Sequence, residues 1–204
     1  MESPDYLTSI FEHQKDLMRR FHPIEERNGF HRPDPVGLNL DRPLNQDRLR
    51  GLAWHVIEEF TEALDGPKDE QLEELADTFH FLVELLITSG VTPSYLSRHI
   101  SGEPLTRMMS EGVLENWSSL DPLERPILQL SFVVCLGSAM NLLKNRPWKQ
   151  TMRETDIPIY FARLRVATVE FLTVVGYMGY SAADLYQAYL GKHEVNQQRI
   201  REGT

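Results

Sequence analysis

Cysteine, positive charge and long apolar runs are all scarce in this sequence. Cys135 is the single cysteine among 204 residues, so no disulfide closes within the chain and a thiolate-held metal is not expected; a reducing compartment follows. Cys135 sits in the apolar run 130–136, a setting that raises a thiol's pKa and suits a small hydrophobe better than a nucleophile. Against 30 Asp and Glu stand 21 Lys and Arg, a net charge of -9. Tracking a nucleic-acid backbone requires a surplus of cations, so a nucleic-acid partner is set aside. A nucleotide enzyme is not, because metal ions supply positive charge locally. Apolar stretches break well short of the ~18–20 residues of a membrane span, and Met1-Glu2-Ser3-Pro4-Asp5 lacks the basic and apolar regions of a signal peptide. The expectation is a cytoplasmic protein without a membrane partner.

Alternating segments and internal repeats are also missing, whereas helical periodicity is plentiful. Ser3-Pro4-Asp5 reads as an N-cap, a proline at the first helical position and an acid in the first turn. Leu7, Ile10, Phe11, Gln14, Leu17, Met18 and Phe21 then recur at helical spacing. Between Pro23 and Pro43 the pattern stops, and Gly29, Pro33, Pro35 and Gly37 predict a long loop, with His22-Pro23-Ile24-Glu25-Glu26 beside it as a candidate lid or dimer contact or an ordinary surface turn. Further helices are predicted over residues 45–64 and 68–89, joined tightly at Gly66-Pro67 and so antiparallel. Residues 91–121 read as short helices and loops; apolar helices follow over 122–143 and 157–176, and a last one over 181–199. The fold class is all-α, with residues 1–204 expected to form one domain carrying a loop-rich insertion at 91–121.

Against this background the acids are unevenly placed. Glu59 and Glu62 stand three apart on one predicted helix, and Glu74 and Asp77 repeat the spacing on the next. Residues three apart share a helix face, roughly 5–6 Å from each other at Cβ. If the two faces meet, four carboxylates converge, with Glu58 beside them. Such a cluster either raises its pKa values or binds a hard divalent cation through oxygen, and a spare acid then activates a water. The bland alternative is a solvated acidic face, which is how Glu70, Glu73 and Glu84 are read. His80, three residues after Asp77, is expected to be a core histidine that orients a carboxylate. Met108-Met109 is read as core filler.

The block Glu58-Glu59-Phe60-Thr61-Glu62 followed by Glu74-Leu75-Ala76-Asp77 resembles the signature of the all-α nucleoside triphosphate pyrophosphohydrolases. That group includes the dimeric dUTPases, phage dCTPase-dUTPases and MazG-like enzymes. The continuation Thr78-Phe79-His80-Phe81-Leu82 is similar to dimeric dUTPases, as is the tail Tyr189-Leu190-Gly191-Lys192-His193-Glu194-Val195-Asn196-Gln197-Gln198-Arg199. In that tail Lys192, Asn196 and Arg199 fall on positions that help hold phosphates and nucleoside, and Gln14 matches a glutamine that helps read the base. Two departures concern the base: His193 replaces the usual Asn, and the Trp-rich segment between the acidic helices is missing.

The resemblance implies a helical bundle of the MazG and dimeric dUTPase type. It implies hydrolysis of dUTP to dUMP and pyrophosphate, with two or three magnesium ions, or manganese as substitute, held by Glu59, Glu62, Glu74 and Asp77. Glu58 is either a ligand or the base, and Glu59 shares the catalytic assignment. Lys192 and Arg199 would balance phosphate charge; the alternative is solvated cations favouring a helix C-terminus. Lys144, Arg146 and Trp148 form a second candidate phosphate or base contact, weighed against a capped helix end with Trp148 over the core. A homodimer is implied, with the apolar helices over 122–143 and 157–176 as its interface. Alternatives are the same reaction on dCTP or on a nucleotide that a phage excludes, and, in another class, a non-catalytic helical protein binding a partner.

Overall fold

A computed structural model describes residues 5–29, 39–111 and 125–203. Among them are eight helices and no strand. The first, α1, spans Tyr6–Arg27. Asp5 is its N-cap and accepts from the Thr8 N–H at 2.9 Å, so this acid precedes the first turn instead of lying within it. The helix also runs on through Pro23 to Arg27. A proline removes one backbone donor, but the extra turn is fixed from outside: Glu25 Oε1 accepts from Arg48 Nη2 at 2.9 Å. The predicted break at Pro23 is therefore displaced to Asn28, whose N–H caps the carbonyls of Ile24 and Glu25. Most of the predicted loop, including Pro33, Pro35 and Gly37, lies outside the described residues.

Pro43–Asp65 forms α2 and Gln71–Ser89 forms α3. The turn between them needs Gly66, because a Cβ there would meet the Glu62 carbonyl oxygen at 2.7 Å. Gly90 closes α3 at φ 88°, with its N–H on the Ile87 and Leu86 carbonyls. The pair is antiparallel, as the short connection predicts. α3 starts three residues later than the predicted 68, since Glu70 takes the N-cap position.

Two short helices, α4 (Pro93–Leu96) and α5 (Pro104–Glu111), follow, and they send Leu96, Leu105 and Met108 fully into the core. The apolar helices α6 (Arg125–Leu142) and α7 (Ile157–Tyr177) pack on one another and on the hairpin. The last helix, α8 (Ala182–Glu202), opens on a reciprocal capping box between Ser181 and Asp184.

Buried on several sides, α3 is the central element. Towards α2, α6 and α7 it contributes Phe79, stacked on Phe171 with centroids 5.6 Å apart; Phe171 in turn meets Phe132 at 5.5 Å, and Phe132 meets Phe60 at 4.9 Å. Towards α1 and α8 the same Phe79 meets Tyr189 edge-on at 6.1 Å. Each aromatic removes a large apolar area from water, and together they lock the orientation in which α3 presents its acids. No helix among the described residues is long and apolar enough to cross a membrane.

Candidate metal and nucleotide site

Near the turn that joins them, α2 and α3 bring their acidic faces together. One carboxylate oxygen from each of Glu59, Glu62 and Glu74 lies within 4.8 Å of the others. Burial, reinforced by the charges of Asp77, Glu62 and Glu74, pushes the Glu59 carboxyl up to about 7. Glu74 is raised as well, chiefly by burial, with Lys192 opposing. Asp77 stands one turn further along α3 and receives Lys192 Nζ from α8 at 2.7 Å. An all-oxygen donor set, crowded enough to hold a proton at neutral pH, fits a hard divalent cation.

Glu58 is not brought into this group. It is exposed and spent along its own helix, with Oε1 accepting from Trp54 Nε1 at 2.7 Å and Oε2 facing His55 Nδ1 at 2.9 Å. That geometry separates Glu58 from Glu59, which the spacing alone does not.

A cavity of about 360 Å³ opens beside the acids, and Glu59 and Asp77 line it. Three further expected residues line it too: Gln14 from α1, and Asn196 and Arg199 from α8. Arg48, His55 and Phe81 join them, and sequence reasoning missed all three. His55 stacks on Phe81 with centroids 5.0 Å apart. Their signal was available: Arg48, Leu52, His55 and Glu59 form one helical stripe on α2, and Asp77, His80, Phe81 and Glu84 form another on α3. Glu84, expected to be solvated, is only 12% exposed and paired with Arg48 at 3.1 Å. His80 is buried, but it bonds the Gln14 carboxamide and faces the Tyr189 carbonyl and orients no carboxylate.

Lys144, Arg146 and Trp148 do not line this cavity. Their segment is bolted to the other side of α2, where Arg50 donates to the Leu143 and Asn145 carbonyls and Gln46 Oε1 accepts from the Asn145 N–H. Lys144 bonds Asn141, and Arg146 lies over the Trp148 ring at 5.9 Å. Trp148 is 75% exposed, so it does not cover the core either.

A family model described as dUTPase matches residues 61–203. The chain belongs to the dUTPase family. Membership makes it a dUTPase-like hydrolase, a nucleoside triphosphate diphosphatase with a nucleotide substrate. The matched segment takes in Glu62, Glu74 and Asp77 together with Lys192, Asn196 and Arg199; Gln14, Glu58 and Glu59 precede it. No curated protein and no solved structure matches the chain.

Proposed function

We propose that this dUTPase-family chain acts on free deoxynucleotides as a magnesium-dependent enzyme, hydrolysing dUTP to dUMP and pyrophosphate, with residues 1–204 working as one catalytic domain in the cytoplasm. The observation that carries the reading is the convergence of the Glu59, Glu62 and Glu74 oxygens within 4.8 Å, beside a nucleotide-sized cavity that Asp77 also borders. Glu59, Glu62, Glu74 and Asp77 are the proposed ligands. Bound magnesium would neutralise the triphosphate and acidify water.

The chain's own groups supply the rest. Lys192 and Arg199 meet phosphate charge, with Asn196 between them on α8. Of the two candidate bases, Glu59 lines the cavity whereas Glu58 is held by Trp54 and His55, so Glu59 is the one placed to accept the proton of the attacking water. Water adds to a phosphorus of the α–β anhydride, the bond from that phosphorus to the bridging oxygen breaks, and dUMP and pyrophosphate separate. Leu17, Phe21 and Phe81 give the cavity an apolar side, suited to an uncharged base, with Gln14 as its carboxamide. Lys144, Arg146 and Trp148 have no part in this site.

The chain is also proposed to dimerise. Ile127, Leu130 and Val134 form one stripe of α6 and are 64%, 60% and 55% exposed, more contiguous apolar surface than a lone helix face in water favours.

Pyrophosphate release measured across the deoxynucleoside triphosphates, with magnesium and with chelator, tests the enzymatic reading. The expected result is metal-dependent turnover fastest on dUTP, and loss of about a thousandfold or more in Glu62→Gln, since carboxylate ligands stabilise charge in the transition state. Turnover that survives chelation, or a few-fold loss in Glu62→Gln, would sink it.

A further inference from the structure

Between α1, α3 and α8 lies a buried polar group that the acidic site does not use. Gln14, His80 and Tyr189 are 3%, 5% and 0% exposed, and the His80 and Tyr189 rings stack with centroids 3.9 Å apart. Both ends of the Gln14 carboxamide are gripped. Its oxygen accepts from the Tyr189 hydroxyl at 2.8 Å and faces His80 Nδ1 at 2.8 Å; its nitrogen donates to Glu84 Oε2 at 3.4 Å. Glu84 is itself held, through Oε1, by Arg48 Nη2 at 3.1 Å, and the same nitrogen reaches Glu25 at 2.9 Å. Gln14, His80 and Glu84 all line the cavity.

Only one sense of this amide suits Glu84 as a carboxylate. Turned over, Gln14 sets its oxygen against the Glu84 oxygen with no proton between them. The sense also governs His80. Burial holds the imidazole neutral, its pKa pushed down to about 3, so it has one N–H to place. On Nδ1 the proton serves the Gln14 oxygen. On Nε2 it serves the Tyr189 carbonyl, 3.2 Å away, and Nδ1 then calls for the Gln14 nitrogen instead. Imidazole tautomer and amide sense are thus a single choice. The Nδ1–H form leaves the Nε2 lone pair facing the Tyr189 carbonyl, the Nε2–H form leaves the Gln14 oxygen facing Glu84, and the charged Glu84 carboxylate outweighs the neutral carbonyl.

We propose that Glu84 is a specificity-determining residue that acts through Gln14: with His80 and Tyr189 as positioning residues, it fixes an N–H donor towards the cavity and so selects uracil over cytosine. The selection rests on the dUTP-hydrolysing reading above. An amide N–H pairs with the 4-carbonyl of uracil, whereas cytosine carries an amino donor there. Donor against donor leaves two polar groups unpaired in a desolvated site, a mismatch that discriminates by orders of magnitude.

The test measures kcat/KM for dUTP and dCTP in the wild-type chain, in the near-isosteric Glu84→Gln and in Tyr189→Phe, which keeps the stacked ring. In parallel, the imidazole nitrogen chemical shifts of His80 are read with magnesium present, assigned by their loss in His80→Gln. Wild type is expected to favour dUTP and to carry the His80 proton on Nδ1. In Glu84→Gln both amide senses become available, so the dUTP-to-dCTP ratio falls roughly tenfold or more, mainly through KM, and His80 shifts towards the Nε2–H form. Tyr189→Phe lowers the ratio in the same direction. A ratio unmoved in a folded Glu84→Gln, or a wild-type His80 protonated on Nε2, overturns the proposal. If wild type hydrolyses no triphosphate, the hydrolase reading and the base selection fall together, while the His80 tautomer still decides whether Glu84 sets the amide.

Discussion

Lys192 Nζ on α8 lies 2.7 Å from Asp77 Oδ2 and 3.6 Å from Glu73 Oε2 on α3. The contact joins the tail of the chain to its acidic centre. Burial pulls the ammonium's pKa down, but the Asp77 hydrogen bond and the charges of Asp77, Glu74 and Glu73 outweigh it and leave Lys192 raised. It is also the cation that opposes the upward shift of Glu59 and Glu74.

Replacing Lys192 by Met removes that cation and the proposed phosphate partner together. Nucleotide kcat/KM is expected to fall roughly 10- to 100-fold, in line with ~1.5–3 kcal/mol for a hydrogen bond to a charged group, and Lys192→Arg to recover part of it. Steady-state kinetics check this, and unchanged kcat/KM in Lys192→Met would remove Lys192 from the site. In the metal-free variant the Glu59 carboxyl should titrate above 7, because its opposing charge is gone.

Glu59 gives the metal-free protein a pH signature. Its folded pKa is raised to about 7 from 4.5, so between these values the folded state binds more protons than the unfolded chain. Stability from this group is present at low pH and is lost as pH rises from about 4.5 to 7. His80, lowered to about 3 by burial, acts oppositely and loses stability as pH falls below 6.5. The two overlap, so the comparison is between wild type and Glu59→Gln. Thermal melts across that window should show the variant gaining on wild type as pH rises, with magnesium reducing the difference at pH 7. Parallel curves would mean that Glu59 is not crowded.

The exposed stripe on α6 predicts the oligomeric state. Light scattering behind size exclusion should find a dimer, and Leu130→Asp combined with Val134→Asp should yield a folded monomer. A wild-type monomer at every concentration tried would discard the interface.

Phe171 is fully buried against Phe79 and Phe132, which makes it the hinge of the aromatic core. Phe171→Ala should cost about 3–5 kcal/mol in denaturant unfolding, the range for a buried aromatic truncated to a cavity. A loss below about 1 kcal/mol would mean the core collapses around the gap.

Local spacing determined a good deal by itself. The α2–α3 hairpin and the acids at positions 59, 62, 74 and 77 were legible in this way, because residues three or four apart on a helix share a face whatever the fold around them. Lys192, Asn196 and Arg199 came instead from the resemblance of the tail to the dimeric dUTPases. Tertiary structure decided what that rule leaves open. Glu58 and Glu59 both lie within a turn of Glu62, and it is Trp54 and His55 that take Glu58 out of the cluster. The turn after Pro23 stays helical with Glu25 salt-bridged to Arg48 across the packed helices. Lys144, Arg146 and Trp148 sit away from the cavity because Asn145 docks on Gln46 and Arg50. Gln14, His80 and Tyr189 meet across separations of 66 and 175 residues, and no local period encodes such contacts. Which end of the Gln14 amide faces the cavity follows from partners on α3 and α8 at once, a property of their packing.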